Sequence, residues 1–436
     1  MELSAIGEIL IMPRREIRCA AAVTAFAVAS VAANAGAQRP IVVRDAVVVS
    51  TAPTTFTFLL FGVKEFANGT LLVNDGYARR MSVLDSTLQH ATIIADTAAG
   101  APFNYGMRPA PLVPYLGDTV LFIDYNSQSL VMLGPGGKTG RVLAPPKAAD
   151  LRWIAGSAAG VDAAGRLVYR SYIPPRTRVA RQGDIRIETV PPSDSAPIVR
   201  GDFDRRTVDT IALLGVDGGA MRVKTFSPSN ELSLKEIVSP VHTLDEWTIT
   251  ADGSIAIVRG HDYHIDWINA DGSRTSTPKM PFDFKRITDS DKQRMIDSVR
   301  TRNDSLAAEG RAGYTPGEAM SFGGTAKLVT APNGKKYFPV DLEFVPLAEI
   351  PDYYPPIRSG AVRADADGNI WILPTTSAQS RHGGLVYDVI NRKGELFERV
   401  EIPVGRSIAG FGRGRVIYLM SGDRTTGFKL ERARIR

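Results

Sequence analysis

The sequence predicts an all-β fold, a β-propeller of six blades, on three observations. A tight turn followed by a run of apolar, β-favouring residues recurs six times, at Ala67–Val73, Leu116–Phe122, Ala164–Tyr169, Ala251–Ile257, Ala366–Ile372 and Arg413–Tyr418. Asn68-Gly69, Asp252-Gly253 and Asp367-Gly368 are the dipeptides that best tolerate the positive φ angles of a two-residue hairpin turn. The copies return at roughly 45-residue spacing, as a radial array of small sheets requires. A strand-like segment at the start, Ile41–Val49, is left over and is available to seal the array.

The totals fit this fold. With 436 residues and 44% hydrophobic content, the chain can bury a large core. Its 22% charged residues are those of an ordinary globular protein. The formal net charge of +6 is mild for this length, and no basic run with interleaved aromatics occurs, so nucleic acid is not the expected partner. The single cysteine, Cys19, precedes the expected mature start. A thiol-free mature chain has no disulfide framework, zinc-thiolate site or cysteine nucleophile.

Taken in order, residues 1–37 read as a signal peptide. Arg14, Arg15 and Arg18 supply positive charge, Cys19–Ala33 is an almost unbroken small apolar run, and Ala35-Gly36-Ala37 offers a cleavage site before Gln38. Met12 is the alternative start, and Arg14-Arg15 leaves the general and twin-arginine export routes both open. The apolar run is short for a membrane span. The expected location is periplasmic or secreted, with residues 38–436 as a single propeller domain.

The first blade reads as Phe66–Asp75, Arg80–Asp85 and His90–Ile94; the second as Thr119–Asp124, Ser129–Leu133 and Arg141–Leu143. Leu71–Asp75 followed by Arg80–Asp85 resembles the NHL-type repeat, an apolar strand ending in Asp before an Arg-led apolar strand. Val120–Asp124 with Ser129–Leu133 is similar without the Arg, and Leu385–Asp388 with Asn391–Glu395 resembles another outer turn. The resemblance implies a six-bladed propeller and brings no catalytic residues with it.

The third blade starts at Val161, is interrupted by an insert at 174–197, and resumes with Ile198–Phe203 and Val208–Leu214. The fourth runs from Trp247 through Ile255–Val258 and His264–Ile268. A second insert, 281–356, holds one helix, with Thr288 and Asp291 as its cap and Met295, Val299 and Leu306 as its apolar face before Gly310. Ala361–Pro403 forms the fifth blade and Ile408 to the end the sixth; strand-like residues 326–345 make a seventh, degenerate blade the alternative. The last blade has three strands, so Ile41–Val49 is expected to pair as its outermost strand and clasp the ring.

Both inserts leave from the face that carries the second-to-third strand loops, which predicts a roofed pocket at the channel mouth. The polar residues expected there are Asp75, Tyr77, Arg79, Asp124, Tyr125, Asn126, Tyr172, His261, Asp262, Arg381 and His382, with Asp423 and Arg424 beside them. An Asp that ends a strand also caps the turn that follows, the structural alternative for this set. His261, Asp262 and His264 are the densest group of metal ligands, suited to calcium or zinc, but no distant partner is identifiable and no other cofactor is expected. Tyr353-Tyr354-Pro355-Pro356 suits a carbohydrate or peptide groove. No Gly-x-Ser-x-Gly elbow occurs, and Gly134–Lys138 lacks the spacing of a phosphate loop.

Besides a purely structural interaction module in an envelope complex, two functions remain. One is a non-catalytic exported propeller, expected to be monomeric, that binds a small molecule, glycan or envelope protein. The other is a lactonase-like hydrolase or lyase with a divalent ion in the central channel, for which Asp75, Asn126 and Asp262 are the best placed donors.

Overall fold

The computed structural model describes residues 41–58, 62–98, 103–156, 158–376 and 383–436, which are nearly all β with three α-helices. β1 (Val42–Phe56) comes first, and β2 (Val63–Glu65), β3 (Leu71–Asp75), β4 (Arg80–Leu84) and β5 (Ala91–Ala95) form an antiparallel four-stranded sheet. β6 (Leu112–Tyr115), β7 (Thr119–Asp124), β8 (Ser129–Leu133) and β9 (Thr139–Leu143) repeat it. After α1 (Leu151–Ala155) come β10 (Gly160–Val161), β11 (Leu167–Arg170), β12 (Arg178–Gln182), β13 (Ile185–Val190), β14 (Ser195–Gly201) and β15 (Val208–Gly215). Here β10, β11, β14 and β15 make the sheet, and the β12–β13 hairpin is excluded from it.

A second outlying hairpin follows, β16 (Met221–Phe226) and β17 (Glu231–Val238). β18 (Glu246–Ile249), β19 (Ile255–Arg259), β20 (His264–Ile268) and β21 (Arg274–Ser276) form another four-stranded sheet. Next are α2 (Asp289–Ala308), β22 (Gly313–Tyr314), α3 (Pro316–Met320), β23 (Thr325–Ala326), β24 (Val329–Thr330), β25 (Lys336–Pro339) and β26 (Asp341–Phe344). The chain ends with β27 (Val362–Ala364), β28 (Ile370–Ile372), β29 (Leu385–Ile390) and β30 (Leu396–Ile402), then β31 (Arg406–Phe411), β32 (Val416–Asp423) and β33 (Gly427–Ile435).

The glycines of all six repeated turns, Gly69, Gly117, Gly165, Gly253, Gly368 and Gly414, have positive φ, the conformation their turn chemistry predicts. At Gly253 a Cβ would lie 2.2 Å from the Ala163 backbone nitrogen, because the inner turns of neighbouring sheets touch there. Apolar residues sit between successive sheets. Leu72, Leu121 and Leu167 belong to one cluster, Val168 and Trp247 to another, and Ile265, Trp371 and Leu419 to a third. Leu71, Val73, Tyr418 and Leu430 join the last sheet to the first, where the Tyr418 hydroxyl donates to Glu65 at 3.0 Å. This succession of meanders packed face to face is propeller-like.

β1 pairs with β33, antiparallel from Ala46 to Phe56, the neighbour expected for the leftover N-terminal segment. It runs on to Phe56 instead of stopping at Val49, and its first residues, Val42–Asp45, pair in parallel with β30. One strand therefore covers two open edges and joins the last two meanders into an eight-stranded sheet.

Other expectations need correction. The β16–β17 hairpin lies between the expected third and fourth blades, in a stretch that no expected element covers. Residues 326–345 make no blade of their own, because their short strands pair partly with β17 and partly with one another. The helix cap is as expected: Thr288 Oγ1 accepts from Asp291 N and Asp291 accepts from Thr288 N. Its buried residues, however, are Lys292 and Ile296, since Lys292 turns inward to Asp352 at 2.7 Å. Among the described residues no helix is long and apolar enough to cross a membrane. The expected signal segment lies outside the described residues.

Candidate functional site

Three insertions leave the meanders from one side, because second-to-third strand loops and sheet-to-sheet connections share an end of the sheets. They meet. β13 pairs antiparallel with β16 over Arg186–Val190, and β17 pairs in parallel with β26 over Lys235–Val238 and with β23 at Glu231 and Leu232. The result is an accessory sheet with a core of its own, Phe226, Leu232, Leu234, Ala319 and Phe338. Arg186 lies over the Phe226 ring at 3.9 Å, and Lys235 reaches Glu343 at 2.5 Å. A groove of about 610 Å³ runs along the sheet past Leu232, Leu234, Val329 and Phe338, with Glu231 and Lys327 at its margin. None of the loop residues expected to line a pocket lines this groove.

Those loop residues divide by role. Asp75 is 6% exposed and accepts from the Phe58 and Ala78 backbone amides, so it ties the chain after β1 to its own turn. Asp124 accepts from Asn126 N at 2.9 Å and the Ser127 hydroxyl at 2.6 Å; Asp423 accepts from the Thr425 and Thr426 amides. These carboxylates cap turns. Arg79 has φ 54° in the same type of turn, and Asn126 packs against Gly106, whose Cβ would lie 2.8 Å from the amide nitrogen. Arg424 projects from an exposed turn. Arg381 and His382 lie outside the described residues.

The metal group is not brought together. Asp262 pairs with Lys279 at 3.1 Å, and that ammonium holds its carboxyl below the usual carboxylate range. His264 Nε2 lies 3.2 Å from Asp266 Oδ1, while His261 is exposed. Burial disfavours the ionised Asp266, yet hydrogen bonds from Ser276 and Arg259 outweigh it and keep the carboxyl below its ordinary value. His242 faces Asp217 at 3.3 Å. Among the described residues no three His, Cys, Asp or Glu side chains form a group able to hold a metal ion. Asp75, Asn126 and Asp262 each serve a separate turn.

The tyrosines behave differently. Tyr77 is 65% exposed and meets Phe58 edge-on at 5.6 Å. Tyr125 lies under the Arg108 guanidinium at 5.8 Å, and burial pushes its hydroxyl pKa up. Tyr172 is 44% exposed and stacks on Trp153 at 5.1 Å and 25°, with Arg152 over the indole at 4.6 Å. From the second insert an edge-to-face series leads outward from buried Tyr263 through Phe282 to Phe284 and Tyr353, which are 61% and 51% exposed.

Sequence reasoning missed Trp153, Phe284 and Glu246. Trp153 and Phe284 sit in connections without periodicity, although an aromatic between polar residues is a usable signal. Glu246 begins β18, where burial pushes its carboxyl upward against the pull of Arg170 and hydrogen bonds from Gly360 and Ser359.

No protein-family model and no curated protein matches the chain. Solved structures similar to it include a member of the DUF4221 family from Bacteroides vulgatus, 10% identical with a TM-score of 0.40, covering 90% of this chain and 98% of that one. A virginiamycin B lyase from Staphylococcus aureus with quinupristin is 11% identical with a TM-score of 0.34, covering 88% and 97%. A gluconolactonase from Xanthomonas campestris is 10% identical with a TM-score of 0.32, covering 91% and 99%. Likenesses this distant carry no assignment of activity.

Proposed function

We propose that this is an exported, monomeric six-bladed propeller, residues 38–436 after a signal segment of 1–37, that binds its ligand without catalysis through the insert-bearing face. β1 closes the ring in this reading, and the contact between Tyr418 and Glu65 supports it. Of a small molecule, a glycan and an envelope protein, a glycan fits best. One observation carries the reading: aromatic rings stand exposed on the second-to-third loops and connections of one face, at Tyr77, Tyr172, Phe284 and Tyr353. Flat rings with polar neighbours suit the apolar faces of sugars.

The metal-dependent hydrolase would need carboxylates from several sheets to converge, and the described residues contain no such group. The test is saturation-transfer NMR against an oligosaccharide panel, comparing the native chain with Trp153→Ala/Tyr172→Ala and Phe284→Ala/Tyr353→Ala. Transfer to at least one oligosaccharide, weakened about tenfold or more by one double variant, is expected. Transfer that is absent, or untouched in both variants, overturns the reading.

A further inference from the structure

A separate site lies away from the inserts. β33 ends Glu431-Arg432-Ala433-Arg434-Ile435, with Arg436 after it, so strand alternation brings three arginines to one face. Arg432 is in register with Ser50 of β1 and Tyr418 of β32; Arg434 is in register with Val47 and Val416. Together with Ser50, and with Ser86 and Thr87 from the turn between β4 and β5, the three arginines line a cavity of about 420 Å³. That turn is at the end of the sheets opposite the insertions.

The charge in this cavity is unbalanced. Glu431 points to the other side of β33 and is held by Arg406 at 2.6 Å. Asp85, in the adjoining turn, is engaged by His90 at 2.8 Å and by Thr87 and Gln89. Glu398 already receives Arg44 and Arg415. Among the described residues, no carboxylate lies in ion-pair reach of Arg432, Arg434 or Arg436. Arg432 reaches the Ser86 carbonyl with Nη1, at 3.4 Å, and also the Tyr418 hydroxyl, while its Nε is buried without a hydrogen-bond partner.

We propose that this cavity binds a tetrahedral oxyanion, phosphate or sulfate, free or as a sugar ester. Guanidinium forks match such oxygens in geometry and charge, and the hydroxyls of Ser50, which is buried without a partner, and Ser86 add neutral donors. An anion would also relieve the mutual repulsion of the three cations.

Titration calorimetry at low salt with inorganic phosphate, inorganic sulfate and glucose 6-phosphate tests this. The native chain is expected to bind at least one saturably, and Arg434→Gln, at an exposed position, to weaken it about tenfold. Tighter binding of the ester than of the free anions assigns the site to an esterified ligand, and the reverse order assigns it to the free anion. Saturable binding of none of the three, or equal binding by Arg434→Gln, overturns the proposal.

Discussion

Single residues near the insert-bearing face show how burial and charge are balanced. Asp388, in β29, is 3% exposed, and burial raises its carboxyl above the ordinary value, opposed by the Arg399 hydrogen bond at 2.7 Å. A raised acid favours its protonated form in the folded state, so Asp388 stabilises below its unfolded value and that contribution is lost as pH rises through the folded value. Arg399→Leu leaves the carboxylate buried and unpaired, which is expected to cost about 3 kcal/mol at neutral pH. The loss should shrink toward pH 3, below the ordinary Asp value of about 3.9, where both states largely carry the proton; urea unfolding at the two pH values checks this, and an equal loss at both contradicts it. Residue-scale reasoning from sequence succeeded for capping aspartates such as Asp124, because a turn needs only its neighbours. It did not place the partner of Asp262, Lys279, which lies 17 residues further on, whereas His264 and Asp266, two apart in β20, share a face by strand alternation alone.

At the scale of elements, the turns were legible and the insertions were not. Each repeated turn carries a glycine whose positive φ is a local demand, whereas β16 and β17 hold their places through β13 on one side and β26 on the other. β12 and β13 pair with no strand of the meanders, and β12 is exposed along all five residues. Replacing 176–192 by a short Gly-Ser linker should therefore leave the melting temperature within about 2 °C, a change of roughly 1 kcal/mol. It should also uncover Phe226, which Arg186 covers, and so raise binding of an apolar dye. Differential scanning calorimetry with dye fluorescence checks both. A fall far beyond that range would mean that the accessory sheet supports the ring.

For the whole molecule, the decisive element is β1. It covers the edges of β33 and β30 at once, so its removal bares two rows of unpaired backbone groups. Deleting 38–50 is expected to lower the melting temperature by on the order of 10 °C and to promote association, far more than a terminal trim normally does. Calorimetry and light scattering measure the two effects, and unchanged melting contradicts the proposed closure. The class of fold was written in the chain, because strand, turn and repeat spacing follow from the local steric preferences of Gly, Asp and β-branched residues. The joining of three insertions into one sheet, the double pairing of β1, and the meeting of Arg432 and Arg434 with the Ser86-Thr87 turn belong to tertiary structure. Each depends on residues far apart in the chain: a period of two marks a strand and its faces, but it does not name the distant strand that will pair with it.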